Sequence, residues 1–301
     1  MTVSKFILAT FLITSFQAVG QFDYDLFEKY ADSSVRQKNI KVKSVTELQS
    51  EDKNHWIKTS YQQFNLQGLP IKFVQYDQQG NEAAIKQFDY DTNQQISKIE
   101  TYKGSKHDAT TEFEINAAKQ ITSYTDYGYS TLNGEKLLIW KTFIDYNSNN
   151  TIRRKIELEG DAKDTVEIDY YDSLGTQIKS IQNRSGLRTT KVIYAWNSDK
   201  TEMKELNYEN DSSIYNVIVH KYKDKKEIQK IDSLTSSKPF YWKYDNNGRV
   251  IETNEAFFYV SYFTYNKDGY IIDKTINVLF SDSDEKDLPK KIYFKYEYEF
   301  R

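Results

Sequence analysis

Trp242-Lys243-Tyr244-Asp245-Asn246-Asn247-Gly248-Arg249-Val250 carries the pattern that decides the fold: an aromatic, then Asp or Asn, two variable residues, Gly, and an aliphatic six or seven places past the aromatic. The same order stands at Phe64-Asn65-Leu66-Gln67-Gly68, Tyr76-Asp77-Gln78-Gln79-Gly80, Tyr171-Asp172-Ser173-Leu174-Gly175 and Tyr265-Asn266-Lys267-Asp268-Gly269. An Asp or Asn opening a turn bonds the backbone two residues on, and a Gly at the fourth place takes positive φ. Each copy therefore reads as a hairpin, a type I turn closed by a Gly bulge. Copies with Lys119, Asn150 or Lys200 in place of Gly are expected to have longer or looser loops in the same strand order, and the turn at Tyr222 is shifted because Lys223 precedes Asp224.

The turns align on Phe64, Tyr76, Tyr90, Ile115, Tyr146, Tyr171, Trp196, Tyr222, Tyr244, Tyr265 and Tyr296. A strand of roughly seven residues and a turn of about five imply roughly twenty strands. Residues alternate in character with period two on the approach to each turn. Val192, Tyr194 and Trp196 share one face, as do Ile218, His220 and Tyr222, and Trp242 with Tyr244. In the final segment Ile292, Phe294, Tyr296, Tyr298 and Phe300 point one way, while Tyr293, Lys295, Glu297, Glu299 and Arg301 point the other, so one face is a core face and the other is wet. The fold class read from this is all-β: an elongated antiparallel meander of hairpin repeats over residues 61–301. Residues 21–60 form an N-terminal cap and irregular first strands, with Phe22, Leu26, Phe27 and Tyr30 at helical spacing for a short helix over the first exposed edge.

Residues 1–20 hold one charge, Lys5, then an apolar run from Phe6 to Phe16, then Ala18-Val19-Gly20, which reads as a secretory signal peptide. No second apolar stretch of about 18 residues follows, so the mature chain is expected to be exported and not to span a membrane. With no cysteine, disulfides and a lipid-bearing cysteine are excluded. Acidic and basic groups, 44 and 41, are interspersed, which gives no footprint for nucleic acid. There are 25 Tyr and 17 Phe against 3 Pro, a bias that suits sheet faces left only partly covered.

Residues 242–250 resemble the YD repeat of the RHS (rearrangement hot spot) proteins, whose unit runs Tyr-x-Tyr-Asp-x-x-Gly-Arg-Leu. Phe263 to Ile271 and Tyr170 to Ile178 are similar but weaker copies, and the resemblance spans roughly residues 60 to 300. It implies a secreted or surface-exposed bacterial protein built from long antiparallel sheets. Large members wind such repeats into a shell around a toxic C-terminal domain, or carry carbohydrate and cell-contact functions outside. This chain is short for a shell, has no extra domain after Tyr296 and mostly lacks the Gly that opens each full repeat. A single-layer or wrapped repeat sheet is the implied form.

Signals for chemistry are weak. His55, His107 and His220 are far apart in sequence, which disfavours a histidine metal site, and His220 shares a strand face with Ile218 and Tyr222 as a packed, hydrogen-bonded imidazole would. No thiol, Gly-x-Ser-x-Gly elbow or phosphate loop is present. The loop Ser281 to Asp287 offers Asp282, Asp284 and Asp287 as metal candidates, but Lys286 stands where a calcium loop needs Gly, and no Glu follows at the twelfth place. Tyr127, Tyr129, Trp140, Tyr241, Trp242, Phe257, Phe258, Tyr259 and Tyr262 are candidates for sugar-stacking platforms, with core packing as the plainer reading.

The expectation is a non-enzymatic exported module in the periplasm or at the cell surface, binding an exported protein or a glycan, without a cofactor. Two rivals remain. A polysaccharide-active enzyme needs two carboxylates converging in a groove. An outer-membrane barrel needs an apolar lipid-facing band, which the negative mean hydropathy and the set Lys295, Glu297 and Glu299 oppose.

Overall fold

The computed structural model describes residues 39–160, 165–173, 177–182, 190–209, 213–234, 239–256, 259–278 and 291–301. Among them are twenty strands, from β1 (Val42–Ser50) and β2 (Ile57–Phe64) to β20 (Lys291–Phe300). Wherever the register is described, neighbours in sequence pair antiparallel, and β20 returns to pair with β1 from Val42 opposite Phe300 to Ser50 opposite Tyr293. The twenty strands belong to one sheet whose first and last members pair, so neither β1 nor β20 is left as an open edge. This corrects the expected elongated repeat array. An open row leaves two lines of unpaired N–H and C=O groups, and closure satisfies both. The helix expected over Phe22–Ala31 lies outside the described residues, as does the signal segment 1–20, and the edge that helix was to cover is paired with β20. Arg301 secures the seam: its backbone N–H donates to Lys41 O at 3.0 Å, and its guanidinium donates to the carbonyls of Ile40, Phe64 and Asn65.

Turn chemistry explains the regularity. In the turn after β3 (Pro70–Tyr76), Asp77 Oδ1 accepts from the N–H groups of Gln79 and Asn81, and Gly80 N–H donates to Asp77 O at 3.0 Å with φ of 80°. Pairing with β4 (Glu82–Tyr90) shifts register at Tyr76, the leading aromatic, and such a shift recurs at Phe64, Tyr146, Tyr171, Tyr222, Tyr244 and Tyr265. The copies without Gly are not looser. Lys119 and Asn150 take φ of 64° and 67° and close the same bonds, to Asn116 O and Asn147 O, while at Lys200 the closing bond from Asn197 runs one residue further, to Glu202. The hydrogen bonds of the Asn side chain hold the left-handed residue in place without a glycine. At the shifted copy, Asp224 and Lys225 both have positive φ and make a two-residue turn, the arrangement whose twist matches the strands. Tyr296 leads no turn; it lies inside β20.

The chain forms two compact units. One comprises Met1–Asp89, Ile99–Ala109 and Ala256–Arg301, and so holds β1 to β4, β18 (Tyr259–Tyr265), β19 (Ile271–Val278) and β20. Its core gathers Val42, Phe64 and Tyr270, with Val45 and Tyr298 packed against them, and the rings of Tyr270 and Tyr298 lie 5.0 Å apart. The other unit comprises Tyr90–Lys98 and Thr110–Glu255. It includes β7 (Ile121–Tyr129), β8 (Lys136–Tyr146), β9 (Ile152–Glu159), β10 (Thr165–Tyr171), β11 (Gln177–Gln182), β12 (Thr190–Trp196), β13 (Glu202–Glu209), β14 (Ser213–Lys223), β15 (Lys226–Asp232) and β16 (Phe240–Tyr244). A tyrosine latch recurs in both: the hydroxyls of Tyr146, Tyr244 and Tyr298 donate to the carbonyls of Ile121, Glu227 and Ile271, each near the start of the preceding strand.

Candidate functional site

Cross-strand register places residues on faces, and in the second unit the two faces differ sharply. Side chains directly opposite one another share a face. One such row runs Ile144, Lys155, Asp169, Ser180, Val192, Asn207, Asn216 from β8 to β14. Flanking rows on that face add Thr142, Glu157 and Glu167, then Tyr194, Glu205, Ile218 and Asp232, then Trp196, Met203, His220 and Lys230. This face is crowded, with Thr142 2% and Ser180 4% exposed, as the inner side of a curved sheet is.

The opposite face is aliphatic and open. Phe143, Ile156, Ile168 and Ile181 form one row, continued by Lys191, Tyr208 and Ile214, and the next carries Tyr170, Lys179, Ile193, Leu206 and Val217, with Val219 and Ile231 beyond. Phe143 is 37% and Tyr215 48% exposed. Two of its lysines lie against neighbouring rings, Lys179 over Tyr170 at 5.4 Å and Lys191 over Tyr208 at 5.5 Å, a snorkelling arrangement that leaves the stems on apolar surface, while Arg154, in line with Tyr170, pairs with Asp145.

Polar groups on the inner face are tied to one another. His220 Nδ1 lies 2.6 Å from Glu227 Oε1, and Nε2 lies 3.3 Å from Glu205 Oε2. Asn207 Nδ2 donates to Glu205 Oε1 at 3.1 Å. Ser180 donates to Glu167 at 3.1 Å, and Gln177 to Asp169 at 2.8 Å. Glu157 stands directly opposite Glu167, a like-charge pair that a merely structural sheet avoids. Among the described residues this face is predominantly acidic, with Glu157, Glu167, Asp169, Glu205 and Asp232 against Lys155 and Lys230. Among the described residues no group of three or more His, Asp or Glu is placed to hold a metal ion.

The packed imidazole expected at His220 is found, between two glutamates that sequence reasoning missed. Glu205 and Glu227 meet it only through the register of β13, β14 and β15, and alternation in Met203-Lys204-Glu205-Leu206-Asn207 was the available signal. His55 is exposed and pairs with Asp52 at 2.7 Å, and His107 stacks on Tyr102. The candidates Asp282, Asp284 and Asp287, and the rings of Phe257 and Phe258, lie outside the described residues. Of the other aromatics, Trp140 and Trp242 share the inner rows, while Tyr241 and Tyr262 lie on outward rows.

No protein-family model matches the chain, and no curated protein sequence matches it. Solved structures that align with the chain include a porin-like protein from Bacteroides uniformis ATCC 8492, at 10% identity and a TM-score of 0.37 over 86% of this chain and 96% of that one. A porin-like protein from Bacteroides vulgatus ATCC 8482 aligns at 12% identity and a TM-score of 0.31 over 86% and 98%. The Photorhabdus luminescens Tc holotoxin pore aligns at 10% and 0.26, over 78% of this chain and 18% of that one.

The YD-repeat resemblance is thereby corrected. Its short motif is the signature of an Asx turn with a left-handed closing residue, which any antiparallel meander uses, and the first and last strands pair with each other rather than ending an open array. The expectation that the mature chain spans no membrane is corrected as well. It rested on the lack of a long apolar run, a test for helices; among the described residues no helix is long and apolar enough to cross. Strands cross in another way: a closed sheet satisfies every backbone group internally and needs only an outward apolar row.

Proposed function

We propose that the protein is an outer-membrane β-barrel whose polar inner face lines an aqueous passage. The observation that carries this is the inversion in β8 to β15: aliphatic rows outward, carboxylates, amides and His220 inward. A water-soluble barrel gains by the opposite arrangement, since apolar area removed from water stabilises by about 25 cal/mol per Å². Lipid reverses the preference. Chain connections support the reading. Every connection after an even-numbered strand spans five residues or, at Asp224 and Lys225, two, whereas those after odd-numbered strands vary up to residues 279–290. Short turns at one end and longer loops at the other are the habit of such barrels.

The test is extraction and conductance. Expressed with its own leader in a Gram-negative host, the protein should stay with the membrane fraction through alkaline and high-salt washes and leave only with detergent. Reconstituted in planar bilayers, it should give discrete conductance steps. Release by buffer alone overturns the proposal.

A further inference from the structure

The outward face over β19, β20 and β1 does not suit lipid. Lys295 and Glu297 stand mid-strand, 49% and 52% exposed, and pair with each other at 2.8 Å. Lys43 and Glu299, 52% and 54% exposed, pair at 2.6 Å across the seam. Asp273 stands directly opposite Lys295 on β19, while Ser44, Thr46 and Leu48 of β1 share this face opposite Glu299, Glu297 and Lys295. A charge turned to lipid near the bilayer centre is strongly destabilising in a barrel. The outward rows of β8 to β15 carry fewer charges mid-strand: Lys179 and Lys191 lie along rings, and Asp145 and Arg154 pair with each other beside the turn after β8.

We infer that this charged arc is an interface with a second copy of the chain, an inference that rests on the membrane reading above. The charge layout favours a copy over other occupants. At the level of Glu299 an acid and a base lie side by side, Glu299 on β20 and Lys43 on β1; at the level of Lys295 they are Lys295 on β20 and Asp273 on β19. Two barrels inserted in the same sense and related by a two-fold axis along the membrane normal meet with lateral order reversed. Base then faces acid at both levels, and the same patch serves both partners. Thr46, which no charge occupies, sits at the middle of the arc opposite Glu297.

The absence of cysteine makes the test clean. Single variants Thr46→Cys and Glu297→Cys of the full chain, with Leu206→Cys as the outward control, are reconstituted into phosphatidylcholine–phosphatidylglycerol vesicles, floated on a gradient and oxidised with copper phenanthroline. Flotation of all three with a band at twice the monomer mass from the two arc variants, and none from Leu206→Cys, is the expected result. Reversing Lys43 and Lys295 to Glu together should abolish that band from Thr46→Cys. Flotation with only monomer from both arc variants overturns the interface and leaves the membrane reading standing. Failure of the unsubstituted chain to float overturns both.

Discussion

The strands β8 to β15 and the strands β18 to β20 with β1 share turn grammar, strand length and antiparallel pairing, yet they turn opposite chemistry outward. In the first stretch Ile156, Ile168, Ile181, Ile193 and Leu206 face out and Glu157, Glu167, Asp169 and Glu205 face in. In the second, Lys295, Glu297 and Glu299 face out, while Phe294, Tyr296 and Tyr298 face in beside Val45, with Lys274 over the rings of Phe263 and Phe294 at 5.6 and 5.5 Å. The difference shows that a backbone hydrogen-bond pattern does not dictate what surrounds it. Pairing sets the sheet, and on the reading proposed above the side-chain pattern gives each arc its own surroundings, lipid for one and protein for the other.

The sharpest way to break the comparison is to cut matching rings from the two stretches. Phe64 is packed in the core of the first unit, so Phe64→Ala should destabilise by about 3–5 kcal/mol, the usual cost of emptying an aromatic site. Phe143→Ala removes a ring that faces out and should cost far less, as urea titration of the vesicle-inserted protein would show. Equal losses would mean that the outward row is itself packed. Next in size, Leu206→Arg places a charge in the aliphatic belt and should cost about 2–4 kcal/mol if the site lies at the bilayer midplane. Thr46→Arg on the charged arc should change the same titration little.

Smaller effects test what the stretches share. Tyr146→Phe and Tyr298→Phe each remove one latch bond, at 2.8 and 2.9 Å, and each should cost about 0.5–1.5 kcal/mol. Unequal values would reveal which unit depends on its rim. The smallest effect is a pH dependence of the turns. Backbone N–H groups donating to Asp77 and Asp245 hold both carboxyls below their ordinary range, Asn81 leading at the first and Arg249 at the second. A carboxyl depressed in the folded state contributes above its unfolded pKa, about 3.9, and that contribution is lost as pH falls through the folded value. The urea midpoint should thus be flat near neutrality and fall below about pH 4. Asp77→Asn and Asp245→Asn keep the accepting oxygen and should flatten that fall.

Much of the sheet was legible because its signals are local. Tyr-Asp-x-x-Gly states a turn, and alternation from Ile292 to Phe300 states a strand with two unlike faces. Closure was not legible. Nothing in Val42–Ser50 names Lys291–Phe300 as its partner, and the charges on Glu297 and Glu299 describe one face of one strand rather than the surroundings of the whole chain. The aliphatic rows were hidden for a related reason. Ile156, Ile168, Ile181 and Ile193 are each a single aliphatic in a polar strand, and only register lines them up. The His220 cluster was half visible: its alternation marked a packed face, while its two glutamates came from adjacent strands.

The seam joins Ser44 to Glu299 across 255 residues, whereas every other described pairing joins strands adjacent in sequence. Loop-closure entropy for such a span exceeds that of a five-residue hairpin by about 3.5 kcal/mol. Zipping of neighbours therefore comes first and closure last, leaving β1 and β20 as two adhesive edges throughout assembly. A growing barrel in that state pairs as readily with another incomplete barrel as with itself, so at high chain density the dominant by-product should be strand-exchanged oligomers. Closure of the sheet is completed at one place, where Arg301 meets the carbonyls of Ile40, Phe64 and Asn65.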